Sequence, residues 1–319
     1  MALGAVPAHA QFLSMPVGCA LGSDCAIAVY FDADPSPDAR DYLCGTMTYD
    51  GHSGVDFAAT DYAAMDRGIP VVAAAPGVVV GMRDGLPDAR GQVDPASVRS
   101  RECGNGVLLE HAEGLFTQYC HLRRGSVTVL LGDTVDAGTQ LGMIGQSGNA
   151  NFPHVHFELL QNQTPIDPFT GQPASGCGVA GTPRWAPETA AALPYFAGLP
   201  YHSGFAAEEP DPARVRAGDY DQPVLTSTSP ELVVWTAVWG EAVGDSVTIA
   251  IRGPGGEELA TAAGDIGENR SWQLHFLRAP QPEPGGTWAP GPYTGEIRYT
   301  RAADGHVWTT TLTAEVVAQ

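Results

Sequence analysis

Short apolar runs broken by glycine fill residues 45–170. Val78-Val79-Val80, Val107-Leu108-Leu109, Phe116 to Tyr119 and Val155 to Leu160 each have the length and the branched or aromatic content of a strand. Between them Gly132, Gly138, Gly142, Gly145 and Gly148 punctuate the chain too often for helices. This pattern predicts an antiparallel β domain. From residue 223 the alternation is cleaner: Val233, Trp235, Ala237 and Trp239, then Val247, Ile249 and Ile251, then Ile297 and Tyr299, then Trp308, Thr310, Leu312 and Ala314. A period of two implies strands with one buried face. With turn signals such as Gly253-Pro254-Gly255-Gly256, it predicts an immunoglobulin-like β-sandwich over 223–319. The expected fold class is all-β.

The intervening segments carry weaker patterns. Residues 11–44 are rich in Cys, Pro and Asp and predict a disulfide-tied extension wrapping the domain at 45–178. Residues 179–222 are rich in Pro and Ala and predict a linker, with one short helix from Pro187 to Leu193, where proline suits a helix start.

Composition narrows the classes. The chain has 319 residues, enough for about two domains. No apolar run approaches a membrane span of about 18 residues. Its 36 acidic and 16 basic residues give a net charge of −20, and every basic residue is Arg. Nucleic-acid binding rests on neutralising phosphates, so that class is excluded. At the N-terminus, Ala8-His9-Ala10 before Gln11 fits a signal-peptidase site, and residues 1–10 read as the remnant of a signal peptide. The expected location is therefore outside the cytoplasm, periplasmic or extracellular. An exported chain with six cysteines predicts three disulfides. Cys19–Cys25 is the local pair, Cys103–Cys120 can close across a hairpin, and Cys44–Cys177 remains to tie the ends of the domain.

Two segments carry candidate chemistry: Tyr49-Asp50-Gly51-His52-Ser53-Gly54-Val55-Asp56 and Phe152-Pro153-His154-Val155-His156-Phe157-Glu158-Leu159. A third histidine sits in Tyr119-Cys120-His121-Leu122. On a strand, His154 and His156 share one face about 6.6 Å apart, opposite apolar Val155, Phe157 and Leu159. Both could share a metal, or one could bind it while the other reaches a water. Gly54 favours a bend that lets His52 and Asp56 converge. Two imidazoles and a carboxylate leave a fourth tetrahedral position open, the arrangement of a catalytic zinc site. An HxH pair or an HxxxD pair alone is weak, and such pairs are commonly solvated surface. Together, in a glycine-punctuated β domain, they are a strong signal. His9, His111, His202, His275 and His306 lack such company, and His111 reads as a hairpin residue.

The order HxxxD, YxHL, spaced glycines and PHxHFEL over residues 45–170 resembles the lysostaphin/LytM-type zinc endopeptidases. The resemblance implies one zinc ion per chain, held by His52, Asp56 and His156, with His121 and His154 flanking the water as catalytic residues. It implies a small β-sheet fold with a groove over the metal, and peptidoglycan peptides as the substrate. Gly148-Asn149-Ala150-Asn151-Phe152 departs from the Thr-Gly usual before HxH, which bears on subsites rather than the metal. The polar insertion from Arg83 to Cys103 is expected to form a groove wall or flap, and Tyr49 is a candidate oxyanion donor. Two alternatives follow from the same family. One is an exported zinc protease acting on proteins. The other is an inactive scaffold that activates a cell-wall amidase, against which the presence of all five positions argues. The C-terminal sandwich is expected to bind wall or a protein partner.

Overall fold

The computed structural model describes residues 12–282 and 286–319. The signal-peptide expectation for residues 1–10 lies outside them. The first ten strands are β1 (Cys25–Val29), β2 (Val55–Ala59), β3 (Pro70–Val72), β4 (Gly77–Arg83), β5 (Asn105–Glu110), β6 (Leu115–Leu122), β7 (Thr134–Val135), β8 (Gln140–Met143), β9 (His154–Gln161) and β10 (Thr164–Ile166). Eight of them form one sheet in the order β1-β2-β9-β6-β5-β4-β7, with β10 on β9, while β3 and β8 pair separately. Every pairing is antiparallel, as the sequence pattern predicts.

The central strands form where they do because one face is wholly apolar. Val55 and Phe57 of β2, and Val155, Phe157 and Leu159 of β9, are fully buried in one core. Each such side chain removed from water contributes about 1.5–3 kcal/mol. The other face of the same strands carries Asp56, His154 and His156, so the alternation itself separates core from chemistry. The extension at 11–44 supplies β1, which pairs with β2. Disulfides join Cys19–Cys25, Cys103–Cys120 and Cys44–Cys177, the three predicted pairs, and no described cysteine is free.

The stretch 179–222, expected as linker, carries ordered elements. They are helix α2 (Pro187–Ala191), strand β11 (Leu199–Ala206) and helix α3 (Pro212–Ala217); helix α1 (Tyr62–Arg67) precedes them. Beyond them lie β12 (Leu225–Thr226), β13 (Val233–Glu241), β14 (Ser246–Arg252), β15 (Glu258–Asp265), β16 (Arg270–Arg278), β17 (Gly291–Thr300) and β18 (Val307–Val317). They make a three-stranded sheet, β11-β13-β16, and a five-stranded sheet, β12-β18-β17-β14-β15. The two sheets share a second core containing Phe205, Val234, Val238, Ile249, Ile297 and Tyr299.

One expectation changes here. The alternation along β13 implies one buried face, but all nine of its residues are buried. Val234 and Val238 point into the sandwich. Val233, Trp235, Ala237 and Trp239 belong instead to the large core that includes Phe57 and Phe157. The three-stranded sheet is thus a shared wall between the two halves of the chain. Further contacts cross it. Arg301 donates to the carbonyls of Tyr195 and Ala197 at 3.1 and 2.8 Å, and Phe196 N donates to the Tyr30 hydroxyl at 2.9 Å.

Candidate metal centre

The site is assembled by three neighbouring strands. Asp56 on β2 lies directly opposite His156 on β9, and His156 lies opposite Cys120 on β6, one residue before His121. Directly opposed residues in an antiparallel pair share a face at short range. His52 enters from the loop before β2. That loop is organised by Asp32, whose carboxylate accepts from the backbone N–H groups of Asp34, Arg40 and Gly51.

The donor atoms form a small triangle. His52 Nε2 lies 3.1 Å from Asp56 Oδ1 and 3.1 Å from His156 Nδ1, and His156 Nδ1 lies 2.9 Å from Asp56 Oδ1. Tetrahedral zinc with bonds of about 2.1 Å sets its ligands about 3.4 Å apart, so three donors this close suit one small ion. His52 and Asp56 are each only 2 % exposed. The Tyr30 carbonyl accepts a hydrogen bond from His52 Nδ1–H at 2.6 Å, which leaves Nε2 as a lone-pair donor toward the triangle.

Electrostatics also call for a cation. Burial would raise the Asp56 carboxyl, but His52, His154 and His156 outweigh it and hold the group well below the usual carboxylate range. Burial opposes a charge on His52, yet the adjacent Asp56 carboxylate and the Tyr30 carbonyl more than offset that and raise it. A divalent ion at the centre of the triangle would supply the positive charge that this buried carboxylate draws from its neighbours.

His121 and His154 stand beside the triangle. Their ring centroids are 4.7 Å apart, and His154 Nε2 is 3.5 Å from Asp56 Oδ2. The Nδ1 atom of each faces a carbonyl, Ser147 O at 2.8 Å for His121 and Phe152 O at 2.9 Å for His154. Each Nδ1–H therefore donates and each Nε2 is left as an acceptor. Burial, then the neighbouring imidazoles, push His121 well below the usual histidine range. Burial also lowers His154, against the pull of Asp56. Both are neutral near pH 7. His121 further stands in the left-handed backbone region at φ 64°, which costs about 1–3 kcal/mol for a residue with a side chain. It is pinned there by a hydrogen bond from its N–H to Cys103 O at 2.8 Å, beside the Cys103–Cys120 disulfide.

All five residues singled out in the sequence thus converge. Tyr49, the candidate oxyanion donor, places its exposed ring 4.7 Å from the ring of His52. Two contributors escape sequence reading, and a third is read there only in part. The Tyr30 carbonyl is backbone and leaves no signal. Phe152 packs its ring 4.4 Å from that of His154. Gly54 does more than bend the chain, because a Cβ there would lie 2.8 Å from His156 ring atoms and 2.5 Å from Phe157 O. His111 is buried between Pro76 O and the Thr117 hydroxyl, a hairpin role as expected. His202 gains company that its sequence context hides. Its Nε2 lies 3.1 Å from Asp221 and 3.6 Å from Asp61, the residue that caps α1 at Ala64 N, with Arg67 3.5 Å from Asp221.

The comparisons with known proteins agree with this geometry. Residues 50–168 match the model of peptidase family M23. Over 121 residues the chain is 31% identical to the DD-carboxypeptidase/endopeptidase Mpg of Neisseria meningitidis, covering 37% of this chain and 22% of that protein. Over 116 residues it is 32% identical to the peptidoglycan DD-endopeptidase ShyA of Vibrio cholerae, covering 36% of this chain and 22% of that protein. The match thus spans about a fifth of the length of these relatives. Among solved structures, the catalytic domain of lysostaphin from Staphylococcus simulans matches 43% of this chain and 86% of its own, at 26% identity and a TM-score of 0.28. Residues 50–168 are a metallopeptidase domain of peptidase family M23.

Proposed function

We propose that the chain is a zinc-dependent endopeptidase, with one ion per chain, that hydrolyses the peptide cross-links of bacterial peptidoglycan outside the cytoplasm. The observation that carries this reading is the triangle of His52 Nε2, Asp56 Oδ1 and His156 Nδ1, beside two buried imidazoles with free Nε2 atoms. The substrate class rests on relatives named for peptidoglycan and DD-endopeptidase activity.

His52, Asp56 and His156 would hold the zinc ion, which when bound acts as a Lewis acid toward water and the scissile carbonyl. The chain's own residues do the rest. The Tyr30 carbonyl orients His52. His154 and His121 are kept neutral by burial, so either can take the proton of the attacking water at Nε2 and, as the imidazolium, return that same proton to the leaving amine. The carbonyls of Phe152 and Ser147 fix both tautomers and remain able to accept from the imidazolium that forms.

The direct test is digestion of purified sacculi, followed by separation of the released muropeptides. Loss of cross-linked dimers, abolished by a chelator and restored by zinc, is the expected result. Sacculi left intact while an unrelated protein is cleaved would replace the substrate class with the protease alternative. A second test addresses the metal. Because Gly54 makes room for the His156 ring, Gly54→Ala is expected to weaken zinc about 10–100-fold, the usual cost of disturbing a ligand's support. Competition with a chromophoric chelator reads it, and unchanged affinity would show that His156 does not hold the ion.

A further inference from the structure

A cavity of about 530 Å³ opens beside the metal centre, and its walls come from both halves of the chain. Tyr49 and Phe152, ring neighbours of His52 and His154, line its inner end. From there aromatic contacts run outward onto the three-stranded sheet. The Phe152 ring is 5.2 Å from Trp239, Trp239 is 5.3 Å from Tyr201, and Trp272 Nε1 donates to the Tyr201 hydroxyl at 2.8 Å. At the outer end the exposed guanidinium of Arg216, on α3, lies 4.0 Å over the Trp272 ring. Arg216 forms no ion pair or hydrogen bond to a carboxylate among the described residues. In a chain of net charge −20 that is a conspicuous arrangement for a cation.

The facing wall is held in place. Arg90, in the polar insertion, pairs with both carboxylate oxygens of Asp66, and Gly91 N donates to the Tyr62 hydroxyl at 2.7 Å. The cavity is therefore preformed: a run of aromatic rings, a fixed insertion opposite, and a single unpaired guanidinium at the far end.

Resting on the reading that the chain cuts cross-linked peptides, we infer that the C-terminal half supplies a substrate subsite. Trp239 and Trp272 carry one arm of the peptide out of the metal centre, and Arg216 receives a free carboxylate on that arm. A guanidinium held by stacking keeps its edge open for two parallel hydrogen bonds to a carboxylate, a geometry that Lys cannot offer. The aromatic faces give apolar contact that does not depend on sequence, so the guanidinium contributes the selectivity.

The experiment uses the full chain stripped of metal with a chelator, so that binding is measured without turnover. The probes are a cross-linked stem-peptide dimer with free carboxylates and the same dimer fully amidated, titrated by calorimetry and by tryptophan fluorescence. The wild-type chain is expected to bind the acid form about tenfold more tightly, the size of one charge-assisted hydrogen-bonded contact. Arg216→Gln should erase that preference while leaving affinity for the amidated dimer and the unfolding midpoint unchanged, since Arg216 is exposed. Trp272→Ala should weaken both probes. Equal affinity for the two probes in the wild type, a preference that survives Arg216→Gln, or binding of neither probe would each overturn the subsite. If the dimer binds with this selectivity but the zinc-loaded chain does not cut it, the proposed reaction fails and the subsite stands.

Discussion

Replacing His154 with alanine is expected to leave zinc bound while turnover falls about 10²–10⁴-fold, the usual worth of a positioned acid or base. His121→Ala should behave in the same way. His156→Ala should instead lose the metal, because it removes one corner of a triangle whose sides are all near 3 Å. The His121 and His154 imidazoles are neutral and carry an unprotonated Nε2, so neither is needed to balance the charge of Asp56 once an ion is present. The measurement is paired: zinc content by elemental analysis and rate on the same cross-linked substrate, for each variant. Zinc loss in His154→Ala with retention in His156→Ala would reverse the assignment. Full activity in both His121→Ala and His154→Ala would remove the proposed proton transfers altogether.

The second large effect is on stability. Cys44–Cys177 spans 133 residues, and His52, Asp56, His121, His154 and His156 all lie within that span. In the chain-entropy model a loop of this length restrains the unfolded state by about 5 kcal/mol. A domain's whole stability is about 5–15 kcal/mol, so this one bond is a large share. The double variant Cys44→Ser/Cys177→Ser is expected to lose about 3–5 kcal/mol, read as a lowered denaturant midpoint. A loss under about 1 kcal/mol would mean that the unfolded chain is already held compact in this region by other contacts.

The sequence makes most of the candidate site legible, and the reason is periodicity. His154 and His156 sit two apart on a strand whose other face is Val155, Phe157 and Leu159, so a period of two both reveals the strand and puts the imidazoles together. Cysteine spacing likewise contains the three disulfides. What stays hidden is non-local or is carried by the backbone. The left-handed φ of His121 has no residue-type signal, since a histidine there looks like any histidine in a strand. Strand β11 lies in a Pro- and Ala-rich stretch and is defined by pairing with β13, whose first residue is 27 positions after the last of β11. The meeting of His202 with Asp61 depends on two elements far apart in the chain. The double burial of β13 did leave a trace. Val233-Val234-Trp235-Thr236-Ala237-Val238-Trp239 is nearly continuous in apolar residues, which reads as a strand covered on both sides rather than one.

That strand has a consequence for how the molecule comes apart. With Trp235 and Trp239 in the core of the metallopeptidase half, and Val234 and Val238 in the core of the sandwich, neither core can open without exposing part of the other. The two halves are expected to unfold as a single cooperative unit, read as one transition on heating or in denaturant. Residues 50–168 excised alone would present to water the surface that Trp239 and its neighbours now cover. Two β architectures are joined here by a common wall, so the half that holds the candidate metal centre owes part of its integrity to the half beyond it.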